Sequence, residues 1–122
     1  FEIATSAYPQ YEGLKAAIAT HNLWGNSQAR YQQICNLSKY LWQELSKIEG
    51  ISCLKDSPPE AGLVSFQVTT GNLSHDRLVQ ALETKGLFLR TIADPSCVRA
   101  CVHYFNLSSD IERLIKVLKR LI

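Results

Sequence analysis

The stretch from Leu89 to Asn106 constrains this chain more than any other, because it pairs strict two-residue alternation with a tight turn. Side chains two apart share one face of a β-strand, so Cys97, Arg99, Cys101 and His103 line one side of a strand over 97–103. Val98, Ala100 and Val102 line the other side and supply a small apolar surface to pack. Asp94-Pro95-Ser96 turns the chain back, so Leu87–Thr91 and Val98–Tyr104 read as two joined strands. The turn lies between Arg90 and Arg99, nine positions apart, and such a pair can grip carboxylates.

The remaining elements follow from periodicity and caps. Residues 1–8 read as irregular, and Pro9 at a first helical position opens a helix to about Thr20. His21 to Gly25 breaks it. A longer helix runs from Ser27, read as its N-cap, to about Ile48, with Ile34, Leu37, Leu41, Leu45 and Ile48 on one face. Ile51–Leu54 is short and β-like, Asp56-Ser57-Pro58-Pro59 is a loop, and Leu63–Val68 alternates as a strand. Ser74 caps a helix to about Lys85, with Gly86 just beyond its end. Ser108 or Ser109 caps a last helix whose apolar stripe is Ile111, Leu114, Ile115, Leu118 and Leu121. The order helix, helix, strand, strand, helix, strand, strand, helix implies an α+β two-layer sandwich, a small, mainly antiparallel sheet covered by helices.

With 122 residues, of which 46% are hydrophobic and 20% charged, the chain suits one modest core. The net charge of +2 is dispersed, and the densest basic group, Lys116, Lys119 and Arg120, has no aromatics among it. Nucleic-acid binding is therefore not expected. No apolar run reaches the roughly 20 residues of a membrane span and no signal peptide is evident, so no membrane association and a cytoplasmic location are expected. Cys35, Cys53, Cys97 and Cys101 are not set in metal-like pairs and read as reduced thiols. Asn36, Asn72 and Asn106 each begin an Asn-Leu-Ser triplet, read as accidental in the absence of a secretory signal. The chain has no methionine and begins at Phe1, which reads as a processed or cut polypeptide.

Four segments together resemble a known family: Phe-Glu-Ile-Ala-Thr-Ser-Ala-Tyr-Pro at 1–9, Gly-Leu-Val-Ser-Phe-Gln-Val at 62–68, Leu-Arg-Thr-Ile at 89–92 and Arg-Ala-Cys-Val-His-Tyr-Phe-Asn at 99–106. They are similar to the C-terminal portion of class V, fold-type I pyridoxal-phosphate (PLP) enzymes, which include the cysteine desulfurases. Within that family the short Ala-Asp-Pro turn between two arginines resembles the cyanobacterial cystine C-S lyases most. The resemblance implies the small domain of such an enzyme over 23–122, with 1–22 leading from a large N-terminal domain absent here. It implies a homodimer with PLP as cofactor in the full-length parent, not bound to this chain alone.

Matched position by position, the resemblance makes Arg99 the arginine that holds the α-carboxylate of the amino-acid substrate. A guanidinium fork suits that role, since it pairs bidentately with carboxylate as lysine cannot. Arg90 matches a second arginine, placed for the far carboxylate of a two-headed substrate such as cystine. Thr5 matches a threonine whose hydroxyl reaches the cofactor phosphate of the adjacent subunit, where a helix N-terminus also favours an anion. The implied reaction is C-S cleavage of cystine or a related sulfur amino acid by β-elimination, in which the cofactor ring takes up the electrons released at Cα.

Two departures bear on this. Desulfurases carry a nucleophilic cysteine on a longer loop, whereas eight residues separate Arg90 from Arg99 here, which favours a lyase over the alternative, a desulfurase-type sulfur transferase. None of the seven lysines, at 15, 39, 47, 55, 85, 116 and 119, lies in the Ser-x-His-Lys type of setting that supplies the Schiff-base nitrogen. The isolated chain is therefore expected to be catalytically inactive, and no catalytic residue is assigned to it. The alternative from a different class is a non-catalytic binding or oligomerisation module. Outside the family pattern an arginine such as Arg99 reads as a solvated charge, Arg90 as a partner of Asp94, and Thr5 as a turn or capping residue. His103 beside Tyr104 reads as a packed ring, Cys97 and Cys101 as small hydrophobes, and Trp24 and Trp42 as packing anchors.

Overall fold

Hydrophobic spacing and turn chemistry place eight elements in the expected order in the computed structural model, which describes residues 7–122. They are α1 (Tyr8–Trp24), α2 (Ser27–Leu45), β1 (Ile51–Cys53), β2 (Leu63–Val68), α3 (His75–Glu83), β3 (Arg90–Ile92), β4 (Cys97–Cys101) and α4 (Ser108–Leu121). The chain divides into two units, the residues up to Arg30 and Tyr31–Ile122. In the first, α1 has Pro9 at its opening turn and no buried residue.

In the second unit the four strands form one sheet in the order β1-β2-β4-β3, every pair antiparallel. Alternation sends Val64 and Phe66 of β2 and Val98 and Ala100 of β4 to one face, all buried. Against that face lie Leu37, Leu41 and Leu45 of α2, Leu78, Val79 and Leu82 of α3, and Ile111, Leu114, Ile115 and Leu118 of α4, in one core cluster. Full burial of such an aliphatic or aromatic side chain contributes about 1.5–3 kcal/mol, so this interleaved set is the main source of stability. The architecture is α+β, a four-stranded antiparallel open sheet with α2, α3 and α4 on one face.

Local chemistry sets the boundaries, in places differently from expectation. The α2 N-cap is Asn26, whose Oδ1 accepts the Ala29 N–H at 2.8 Å, and Ser27 is already helical. Ser74 caps α3 as expected, accepting from the Arg77 N–H. Beyond α3, Gly86 has φ +70° and the Leu87 N–H reaches the Leu82 carbonyl while the Gly86 N–H reaches that of Glu83. That is a Schellman closure, which needs the left-handed residue that glycine supplies. At α4 neither Ser108 nor Ser109 caps; the Asp110 carboxylate reaches back to the Leu107 N–H at 3.0 Å.

The strands are shorter than the alternation suggests. β3 begins only at Arg90 and β4 ends at Cys101. Past β4 the chain turns so that the Asn106 side chain accepts the His103 N–H at 2.9 Å, and the His103, Tyr104 and Phe105 rings cluster within 5.6 Å of one another.

Candidate functional site: an arginine pair on the open face of the sheet

The register of the sheet decides where the expected site residues lie. Arg90 and Arg99 are cross-strand partners in β3 and β4, and Ser65 of β2 is the partner of Arg99 on its other side. Partners in an antiparallel pair point to the same face, and neighbours along a strand point to opposite ones. Val98 and Ala100 enter the core, so Arg90, Arg99 and Ser65 belong to the face opposite the helices, together with Gln67, Ile92, Cys97 and Cys101.

Two guanidiniums on directly paired residues repel each other. Among the described residues no carboxylate neutralises them: neither arginine takes part in an ion pair, and the alternative pairing of Arg90 with Asp94 does not form. Arg90 is exposed and Arg99 half-buried. The Nε of Arg99 is buried and has no hydrogen-bond partner. A desolvated donor without an acceptor costs on the order of 1–3 kcal/mol. The two positive charges on this face are thus uncompensated among the described residues.

The turn between the two arginines is fastened from below. The Val68 N–H donates to His75 Nε2 at 3.1 Å, and His75 Nδ1 lies 3.1 Å from Ser96 Oγ. The Gln67 side-chain amide donates to the Ser96 carbonyl at 2.8 Å. Sequence reasoning missed His75, Gln67 and Ser96, because partners 21 and 29 positions apart leave no periodic signature.

The four thiols are free and differ in setting: Cys97 is buried, Cys35 and Cys53 intermediate, and Cys101 exposed. Burial raises the Cys53 thiol above its ordinary range, opposed in part by a hydrogen bond with Ser46. At the surface, Tyr31 donates to the Glu60 carbonyl at 2.9 Å, and its phenol is raised first by a hydrogen bond with Cys35 and then by the charge of that thiol. Neither group faces the arginines. His103 is exposed and stacks on its neighbours. Thr5 lies outside the described residues. Among the described residues there is no cluster able to hold a metal ion and no helix long and apolar enough to cross a membrane.

No family model matches the sequence. A probable cysteine desulfurase of Xylella fastidiosa strain 9a5c is 30% identical over 129 residues, covering 97% of this chain and 30% of that protein. A solved complex of the cystine C-S lyase C-DES with its reaction product cysteine persulfide is 49% identical, with a TM-score of 0.90, and matches 98% of this chain and 31% of that one. A second structure of that lyase, a lysine-to-alanine variant, holds glycine covalently linked to the PLP cofactor. The cysteine desulfurase CsdA of Escherichia coli, at 21% identity and a TM-score of 0.78, shares the fold over 98% of this chain and 32% of its own. The homologues of this chain are therefore cysteine desulfurases and a cystine C-S lyase. What it matches in them is a C-terminal portion, with the small-domain fold of fold-type I PLP enzymes. The chain spans about 30% of the length of the relatives it matches.

Proposed function

We propose that this chain is the substrate-carboxylate-binding domain of a PLP-dependent C-S lyase acting on cystine or a related sulfur amino acid. The observation that carries the reading is the cross-strand Arg90–Arg99 pair on the open face, with no ion pair among the described residues and the Arg99 Nε buried without an acceptor. The 49% identity to a cystine C-S lyase supports the choice of substrate class.

In this reading Arg99 holds the α-carboxylate of the reacting amino acid and Arg90 holds the far carboxylate of a two-headed substrate. Both charges are permanent, and their planar forks orient as well as attract. PLP, when bound, takes up the electron pair released at Cα. The arginines orient the substrate so that its β-carbon–sulfur bond can break. In balance, cystine and water give cysteine persulfide, pyruvate and ammonia. The residues for the Schiff base belong to polypeptide beyond this third of the relatives' length. Residues 1–22, with Thr5 toward the cofactor phosphate of the adjacent subunit, lead from that large domain, and 23–122 form the small one. The parent is read as a cytoplasmic homodimer, and the four free thiols fit a reducing compartment.

A second reading, a desulfurase, is favoured by the probable cysteine desulfurases among the relatives and by Cys101, an exposed thiol on the same sheet face as both arginines. Product analysis of the full-length protein separates the two. Cystine should yield pyruvate and persulfide in equal amounts for the lyase. Alanine formed from cysteine, with sulfur retained on a protein thiol and lost in Cys101→Ala, would establish the desulfurase instead.

A further inference from the structure

We propose that His75 is a positioning residue for the arginine pair, tying the end of β2 to the Asp94–Ser96 turn and so fixing how Arg90 and Arg99 are held relative to each other. This rests on the reading of the two arginines as carboxylate-binding groups and adds the element that sets their geometry.

The hydrogen bonds define the state of the ring. Because the Val68 N–H donates to Nε2, that nitrogen carries no proton, and the neutral ring places its proton on Nδ1. Nδ1 then donates to Ser96 Oγ. The Ser96 carbonyl is meanwhile taken by the Gln67 amide, so this one residue is held through its side chain and its backbone. Ser96 directly precedes Cys97, the first residue of β4, and closes the turn that leads from β3.

The anchor is well packed and the tethered strand is short. His75 begins α3, whose Ser74 cap and buried Leu78, Val79 and Leu82 fix the helix to the core. β3 is an edge strand of three residues, joined to the sheet by three Cα pairs. A three-residue edge strand is a weak element by itself, and among the described residues His75 and Gln67 are the side chains that tie its turn to the body of the sheet. β2 carries no charged side chain. Of the charged groups on the neighbouring elements, Asp76, Arg77, Asp94, Arg90 and Arg99, none forms an ion pair with His75 among the described residues.

The test uses the full-length protein with cystine as probe. His75→Ala should raise KM about tenfold with kcat within about twofold, the signature of lost substrate holding. His75→Asn keeps a donor near the Nδ1 position and should restore most of the KM, whereas His75→Gln, whose amide lies further out, should not. Nitrogen NMR of the imidazole should find the proton on Nδ1, and amide exchange at Ser96 and Cys97 should quicken in His75→Ala. A wild-type KM in His75→Ala with a lowered Tm would reduce His75 to a structural residue. Equal KM values for the Asn and Gln variants would overturn the proposal even where the Ala variant does not fold. Arg99→Lys separates the premises: if it leaves KM unchanged the arginine reading fails, and if it raises KM while the His75 variants do not, only the tether fails.

Discussion

Arg90 and Arg99 are direct cross-strand partners on the sheet face opposite α2, α3 and α4, and no carboxylate pairs with either among the described residues. A hydrogen bond to a charged group is worth about 1.5–3 kcal/mol, and losing bidentate geometry forfeits at least one. Arg99→Lys in the full-length protein should therefore lower kcat/KM for cystine roughly 10- to 100-fold while the charge is kept. Steady-state kinetics measure this, and an unchanged value would remove Arg99 from the substrate.

Arg90 is the more exposed of the two and stands at the sheet edge, so its variant should discriminate between substrates. Arg90→Ala should weaken cystine, which has a second carboxylate, by about tenfold. A sulfur amino acid with a single carboxylate should be nearly unaffected. Equal losses for both would mean that Arg90 acts on the fold or on the same carboxylate as Arg99.

Much of this was legible in the sequence because two-residue and 3.6-residue periods are local signals. The alternation in β2 and β4 and the stripe of α4 gave the core face and hence the face of Arg99, and Ser74 and Gly86 bounded the third helix. What could not be read depends on contacts between segments distant in the chain. The short β3, the hold on Ser96 by His75 and Gln67, and the orphaned Arg99 Nε arise only once the strands are paired. The α4 cap differs for another reason: serine is a good cap by type, yet the helix begins at Ser108 itself, which leaves Leu107 at the cap position and the Asp110 carboxylate to accept the Leu107 N–H.

Gly62 holds its place by a close approach. A Cβ there would come within 2.1 Å of the Val102 carbonyl oxygen, and the Gly62 carbonyl accepts the Val102 N–H at 2.7 Å. The clashing atom is backbone and cannot swing aside. Gly62→Ala should destabilise by about 1–3 kcal/mol, as overpacking does. Gly13 sits within helix α1 with nothing within 4 Å of a Cβ, so Gly13→Ala should be neutral or stabilise by about 0.5–1 kcal/mol. Urea titration of both variants checks the contrast.

Cys53 gives the fold a dependence on alkaline pH. Its thiol is raised mainly by burial, so the folded state prefers the neutral form. Below the unfolded thiol range near pH 8.5 both states are protonated and nothing changes; above it the unfolded chain ionises first and stability falls until the folded thiol also titrates. Tm should thus drop further between pH 8 and 10 in the wild type than in Cys53→Ala. Parallel slopes in the two proteins would refute this.

The α4 N-terminus allows the capping assignment to be tested directly. The Asp110 carboxylate accepts the Leu107 N–H at 3.0 Å and lies 3.4 Å from the Asn106 amide, while its negative charge stands at the positive end of a 14-residue helix. Losing such a group costs about 1 kcal/mol, from the orphaned N–H and from the helix dipole together. Asp110→Ala should lower stability by that amount, Asp110→Asn by less, and Ser108→Ala by no more than a few tenths. Because α4 supplies Ile111, Leu114, Ile115 and Leu118 to the core, fraying at its first turn loosens the packing beneath β4. Amide exchange at Ile111 should therefore quicken in Asp110→Ala and not in Ser108→Ala. The reverse order would return the cap to the serine.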